Sequence, residues 1–172
     1  VIGTVRSPGT DVCWDVARRF TTGVSVVTVG VGDTARGATV SAFCQLSRDP
    51  ALVSVCLRRG SAALELIRGT GLFTVNVLAD DQTALARHFA DRGRGDHQFD
   101  GLLWTPGEGA IPLLAGTVCW FHCRAREIVP AGDHDLVLAE VAAVGQDRTR
   151  TPLLYFAGAL HPGAIRIEEV SR

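Results

Sequence analysis

Hydrophobic and polar positions divide the chain into short elements. In residues 11–20, Val12, Val16 and Phe20 fall four apart on one helical stripe behind Asp11, a candidate N-cap, which predicts an amphipathic helix lying on a sheet. Residues 24–29 are almost continuously β-branched and predict a strand. The following Gly30-Val31-Gly32-Asp33 tolerates positive φ before the chain resumes at 38–41, so these segments read as a hairpin. A second strand is predicted at 52–57, ended by Arg58-Arg59-Gly60. Ser61 then caps a short helix over 62–68 that Gly69 closes. Residues 73–78 alternate, with Phe73, Val75 and Val77 on one face and Thr74 and Asn76 on the other. Residues 80–90 read as a helix with Leu85 and Phe89 one turn apart, and 91–116, rich in glycine, proline and charge, as a long functional loop. Two long strands at 117–129 and 135–144, joined through 130–134, and a last strand at 153–156 complete the pattern. Hairpins predominate over helical crossovers. The expected fold is mainly β, a barrel of six or seven antiparallel strands with about three short helices, in one domain over residues 1–172.

Composition narrows the chemistry. A length of 172 residues with 47% hydrophobic and 20% charged residues is an ordinary globular balance. All 17 basic residues are arginine, so neither a Schiff-base lysine nor the lysine of a Walker loop exists in this chain. A net charge of −1 argues against the broad basic face that nucleic-acid binding requires. No apolar run reaches the roughly 18–20 residues of a membrane span, and the opening Val-Ile-Gly-Thr-Val-Arg-Ser-Pro lacks a signal peptide's layout. The 5 cysteines form no Cys-x-x-Cys pair, which suits buried thiols in a reducing compartment. A cytoplasmic protein is expected.

Several patterns carry candidate chemistry. Gly30, Gly32 and Ala35 fit a dinucleotide fingerprint with Asp49 downstream, but Gly37, Thr39 and Val40 stand where its helix should run, which favours a hairpin turn. Cys119, His122 and Cys123 invite a metal, yet on a strand His122 points away from the cysteines, which lie about 13 Å apart at 3.3 Å per residue; no metal is expected. No compelling acid pair and no Gly-x-Ser-x-Gly elbow is present. Two polar clusters remain. Residues 37–43 with Arg58, Arg59 and Ser61 offer hydroxyls, strand-end amides, guanidiniums and a helix start that could hold a phosphate, or could be solvated turns with a plain cap. Gly132-Asp133-His134 exposes an imidazole at a turn, either for a ligand or without a role.

In order, residues 20–28, 37–50, 73–78, 85–90, 132–134 and 152–156 resemble the flavin reductase-like family, whose members are FMN-binding split barrels. The resemblance implies an NAD(P)H:flavin oxidoreductase that reduces FMN or FAD and supplies it to a partner monooxygenase. It implies that Thr39, Val40, Ser41 and Ala42 line the flavin and that Cys56 and Leu57 pass beside its ring. Arg59, Ser61 and Ala62 would then stand at its phosphate, His134 on the nicotinamide side and Tyr155 near the cofactors, with the loop bearing Phe99 closing over the flavin. A homodimer is implied as well. Where the family usually shows Arg-Gly-Arg-Tyr, this chain has Ala157-Gly158-Ala159-Leu160, so NADH is expected over NADPH; Gln45 replaces a small residue after Cys44, at a contact bearing on flavin size. In this reading the cofactors carry the reaction and the protein aligns them, which suits a chain without a catalytic pair. The alternatives are a flavin- or haem-binding split barrel without turnover, and a flavoenzyme acting on an organic substrate.

Overall fold

Valine-rich runs broken by glycine turns leave few local ways to satisfy the backbone other than antiparallel pairing. The structure is a computed structural model that describes residues 9–91 and 95–163, apart from the Thr10 side chain. Its first half contains α1 (Thr10–Ala17), β1 (Thr22–Gly23), β2 (Ser25–Val29), β3 (Arg36–Val40), β4 (Phe43–Arg48), β5 (Ala51–Arg58), α2 (Ala62–Thr70), β6 (Leu72–Val77) and α3 (Thr83–Ala90). The second half contains β7 (Trp104–Pro106), β8 (Pro112–Leu114), β9 (Cys119–Ala131), β10 (His134–Gln146), β11 (Leu153–Phe156) and β12 (Ala159–Pro162).

Seven strands form one antiparallel sheet in the order β3-β2-β6-β9-β10-β5-β4. Its two edge strands, β3 and β4, are consecutive in the chain and joined only by Ser41 and Ala42. So short a link between opposite edges forces the sheet to curl into a split barrel, with those two residues at the seam. Inward residues fill it: Val27, Val53, Val55, Leu57, Phe73, Val75, Val137 and Ala139 pack with Ala63, Leu64 and Ile67 of α2, which plugs the barrel. Each large side chain so buried contributes about 1.5–3 kcal/mol. A second cluster lies outside the barrel, where Val26, Ala86, Phe89, Phe99, Leu114 and Leu153 pack together.

The hairpin of β2 and β3 forms as expected, and Gly30, at φ 78, serves its turn rather than a nucleotide-binding helix. Elsewhere the structure corrects the sequence reading. The first helix starts a residue early with Gly9 at its cap, and Val12, Val16 and Phe20 are exposed rather than laid on a sheet. Helix α2 runs through Gly69 and stops at Gly71, which takes the left-handed φ of 70° and donates its N–H to the Ile67 carbonyl at 2.8 Å. Helix α3 begins at Thr83 because Gln82 holds the preceding turn, accepting the Ala79 N–H at 2.9 Å. The supposed loop at 91–116 contains the β7–β8 hairpin. Asn76 binds it to the sheet by accepting the Leu114 N–H at 3.0 Å, and Thr28 donates to the Pro112 carbonyl at 2.6 Å. Strands β4 and β12 and the short β1 were not expected either. Strand β9 runs through Pro130 to Ala131; its pairing with β6 ends at Arg124, so the proline's missing N–H faces an open side. The β9–β10 connection shrinks to Gly132 and Asp133, with Gly132 at φ 69.

Candidate active site

The barrel seam and the β9–β10 turn bring together sequence segments far apart in the chain. At the seam, Val40 points into the core and the Thr39 hydroxyl donates to the Ala86 carbonyl of α3 at 2.7 Å, while Ser41 and Ala42 are exposed. The Ala42 carbonyl accepts the Cys56 N–H at 3.0 Å, which sets Cys56 beside the seam on the face of β5 opposite the core. Its thiol is half-buried, and burial pushes its pKa up, so Cys56 is a small apolar wall rather than a nucleophile. Leu57 contributes only backbone there, since its side chain is in the core.

One strand end further on, His134 lies opposite Arg58 and the Arg59 N–H donates to the Asp133 carbonyl at 3.1 Å. The histidine is thereby fastened to the turn that starts α2. Its Nδ1 lies 2.8 Å from Asp133 Oδ1, and this hydrogen bond, together with the imidazole's charge, lowers the Asp133 carboxyl below the usual range. The Ser61 hydroxyl accepts the Leu64 N–H at 3.4 Å, a long cap bond at the start of α2, and Ala62 is exposed beside it. Beneath this turn Asp135 is buried. Arg59 donates to its Oδ1 from Nε at 3.2 Å and from Nη2 at 3.0 Å, and Arg68 binds Oδ2. Burial raises the Asp135 pKa, but the two guanidiniums outweigh it and hold the carboxyl below its ordinary value. Asp135 therefore fixes Arg59 at the mouth of the site.

Other expected residues lie apart. Tyr155 pairs with Thr22 and borders an open groove that begins at Ser41. Phe99, on the loop expected to close over the flavin, is in the outer cluster, its ring 5.2 Å from that of Phe89 and 6.2 Å from that of Trp104. Cys123 is in the barrel core, where burial pushes its thiol up to about 12, and His122 on the opposite face is 2.6 Å from the Thr74 hydroxyl through Nδ1. Among the described residues no cluster of metal-ligating side chains forms. Sequence reasoning missed Asp135, although an acid at an inward position ahead of Val137 and Ala139 is itself a signal, because a buried carboxylate requires cations. It also missed Trp14, Arg18 and Thr22 on the groove, for which the sequence carried no signal.

The family model of the flavin reductase like domain matches residues 17–164, which includes every strand of the barrel. The chain belongs to the flavin reductase-like family. This flavin reductase-like chain is 42% identical over 162 residues to an NADPH-flavin oxidoreductase of Streptomyces viridifaciens, covering 91% of this chain and 83% of that one. It is 37% identical over 142 residues to an NADH-dependent FAD reductase of Streptomyces globisporus, covering 81% and 78%. Among solved structures, the NADH:FAD oxidoreductase SgcE6 of Streptomyces globisporus superposes with a TM-score of 0.87 at 34% identity, over 95% of this chain and 99% of that one. The same oxidoreductase in complex with NAD and FAD fragments gives 0.85 at 32%, over 99% and 100%.

The residues present in this family member fit a flavin. An exposed seam faces a half-buried apolar wall at Cys56. A capped helix start with a half-exposed arginine, oriented by a buried carboxylate, offers donors for a phosphate.

Proposed function

We propose that the seam residues Thr39, Val40, Ser41 and Ala42, with Cys56 and the Leu57 backbone, hold the flavin ring, and that Arg59, Ser61 and Ala62 hold its phosphate. The observation that carries this reading is the convergence of the seam, the α2 start and the β9–β10 turn on one side of a barrel of this family. The protein is an NAD(P)H:flavin oxidoreductase that reduces FMN or FAD and supplies reduced flavin to a partner monooxygenase. The cofactors supply the chemistry, a hydride passing from nicotinamide C4 to flavin N5. The chain's residues bind and orient. Arg59 and Ser61 anchor the anion, the rigid seam fixes the ring plane, and His134, tethered by Asp133, positions the nicotinamide carboxamide or phosphate. No group in this arrangement needs to carry a proton for the hydride to move. The described residues form one folded unit, which we read as a single domain over 1–172, in a cytoplasmic homodimer. The exposed Leu46 on β4 and Val144 on β10, and 5 unpaired cysteines, support that part of the reading.

Anaerobic and aerobic NADH oxidation with FMN and with FAD tests the function. Turnover that scales with flavin concentration is expected; consumption no faster than without protein under both flavins would leave a binding protein without turnover. Light scattering at micromolar concentration tests the dimer, and a monomer contradicts it.

A further inference from the structure

Asp135 sits between two guanidiniums that come from opposite ends of α2. Arg59, just ahead of the helix, donates to its Oδ1 from Nε at 3.2 Å and from Nη2 at 3.0 Å. Arg68, in the last turn, donates to Oδ2 from Nη2. The carboxylate side chain is 2% exposed, against 53% for Arg59 and 42% for Arg68. A carboxylate this deeply buried has to stay paired, because losing its last cation leaves an uncompensated charge out of water. One cation would meet that need, yet two are present. They are not equivalent. Arg59 flanks the Ser61 cap, and its backbone N–H is bonded to the turn that carries His134. It commits its Nε–H and one Nη2–H to Asp135 and keeps the rest of its N–H donors. Arg68 starts about 10 Å along the helix axis from Ser61 and otherwise pairs only loosely, with Glu65 at 3.7 Å.

An anion that reaches Arg59 competes with Asp135 for its guanidinium. Were Arg59 the sole counter-ion, every donor turned toward a phosphate would be withdrawn from a buried charge, and binding would carry that penalty. Arg68 removes it, because Oδ2 stays paired whatever Arg59 does. We propose that Arg68 is a positioning residue for phosphorylated flavin: by sharing Asp135 it releases Arg59 to the flavin phosphate without touching the ligand itself. The inference rests on the reading of Arg59 and Ser61 as the phosphate site. It gives a residue at the far end of the plug helix a part in flavin selection, since riboflavin has no phosphate to draw Arg59 away. A tie that only joined β10 to α2 would steady the barrel and treat FMN and riboflavin alike.

The probes are FMN and riboflavin, titrated into the full chain by flavin fluorescence, and the quantity read is the riboflavin dissociation constant divided by that of FMN. Arg68→Gln should lower this ratio about fivefold, with riboflavin affinity within about twofold of wild type, because Asp135 then retains Arg59. In an Asp135→Asn background there is no buried carboxylate to hold Arg59 back, so adding Arg68→Gln should change the ratio by less than about twofold. A second measurement uses the wild type and does not depend on how Arg68→Gln folds. In nitrogen-15 NMR spectra, FMN should shift the Arg59 guanidinium resonances and leave those of Arg68 in place, while riboflavin shifts neither. Equal losses of FMN and riboflavin affinity, an unchanged ratio in Arg68→Gln, or a fall that persists in the Asp135→Asn background overturns the assignment. So do equal FMN-induced shifts at Arg59 and Arg68, which would put both guanidiniums on the phosphate. If Arg59→Ala leaves the ratio unchanged, the phosphate reading fails and takes this role of Arg68 with it. If Arg59→Ala lowers the ratio and Arg68→Gln does not, the phosphate reading stands and only the role of Arg68 is refuted.

Discussion

Gly37 lies on β3 where the strand crosses α3, and a methyl group there would put Cβ 2.3 Å from Cδ1 and Cε1 of Phe89. Ordinary carbon contact is about 3.5–4.0 Å, so something must move by more than about 1 Å. Phe89 cannot swing aside, because its ring is buried with the Phe99 ring at 5.2 Å and the His88 ring at 4.9 Å. Nor is β3 free, since the Gly37 N–H donates to Gln98 Oε1 at 2.9 Å. Overpacking of this kind costs about 1–3 kcal/mol. At about 2–4 °C per kcal/mol for a chain of this size, Gly37→Ala should melt about 2–12 °C below wild type. The displacement also reaches the seam, because Thr39, two residues on, holds the Ala86 carbonyl of the same helix, and FMN affinity should fall with stability. Gly69→Ala is the control. Its methyl meets nothing within 4 Å, it lies in a helix, and it should stabilise by about 0.5–1 kcal/mol. Circular dichroism melts and FMN titrations of both variants decide the matter. A Gly37→Ala melt within about 0.5 kcal/mol of wild type, or a greater loss in Gly69→Ala, refutes the packing argument.

Further outcomes follow from the site. On the proposed phosphate site, Ser61→Ala should weaken FMN binding by about 1–2 kcal/mol and riboflavin binding much less, by calorimetry; equal losses for both ligands point to the cap alone. Arg59→Ala should weaken FMN binding further. His134→Ala should raise the KM for NADH or slow flavin reduction in stopped flow, with FMN affinity within about threefold of wild type; lost affinity with an intact reduction rate moves His134 into the flavin site. Burial lowers the His122 pKa, opposed by Glu108 and reinforced by Arg124, so the folded state resists protonation. Its contribution to stability is complete above the ordinary histidine value of about 6.5 and is lost as pH falls through the lower folded value. Denaturation midpoints measured from pH 7.5 to 5 should fall in wild type and fall less in His122→Asn; parallel curves would place the slope elsewhere.

Legibility in the sequence followed burial. Strands β2, β5, β6 and β10 were readable because inward valines repeat at the strand period and face one core. Strand β4 was hidden because, as an edge strand with Cys44, Gln45 and Leu46 exposed, it has no buried stripe to mark it. The β7–β8 hairpin was hidden for a different reason: side chains from β2 and β6, Thr28 and Asn76, hold it down, and no local pattern encodes a partner so distant. Of the site, Ser61 and His134 stood out as a cap and a turn residue. The packing of Phe99 against Phe89 and Trp104 was not legible, because an aromatic in a glycine-rich loop carries no local sign of rings so distant in sequence. The apolar stripe of α1 was read correctly but placed wrongly, since periodicity reports a face and not what meets it.

The strand order also governs how the protein is made. Strand β5 leaves the ribosome early, yet its inner neighbour in the sheet is β10, and Leu57 waits for Asp135. Until that late hairpin emerges, the β2–β3 and β4–β5 hairpins exist as unjoined pairs with bare edges and exposed valines. Chain closure is a single late event of high contact order, so nascent chains stalled before His134 should be the aggregation-prone species. Exposure of the half-built sheet therefore ends only when its central hairpin arrives.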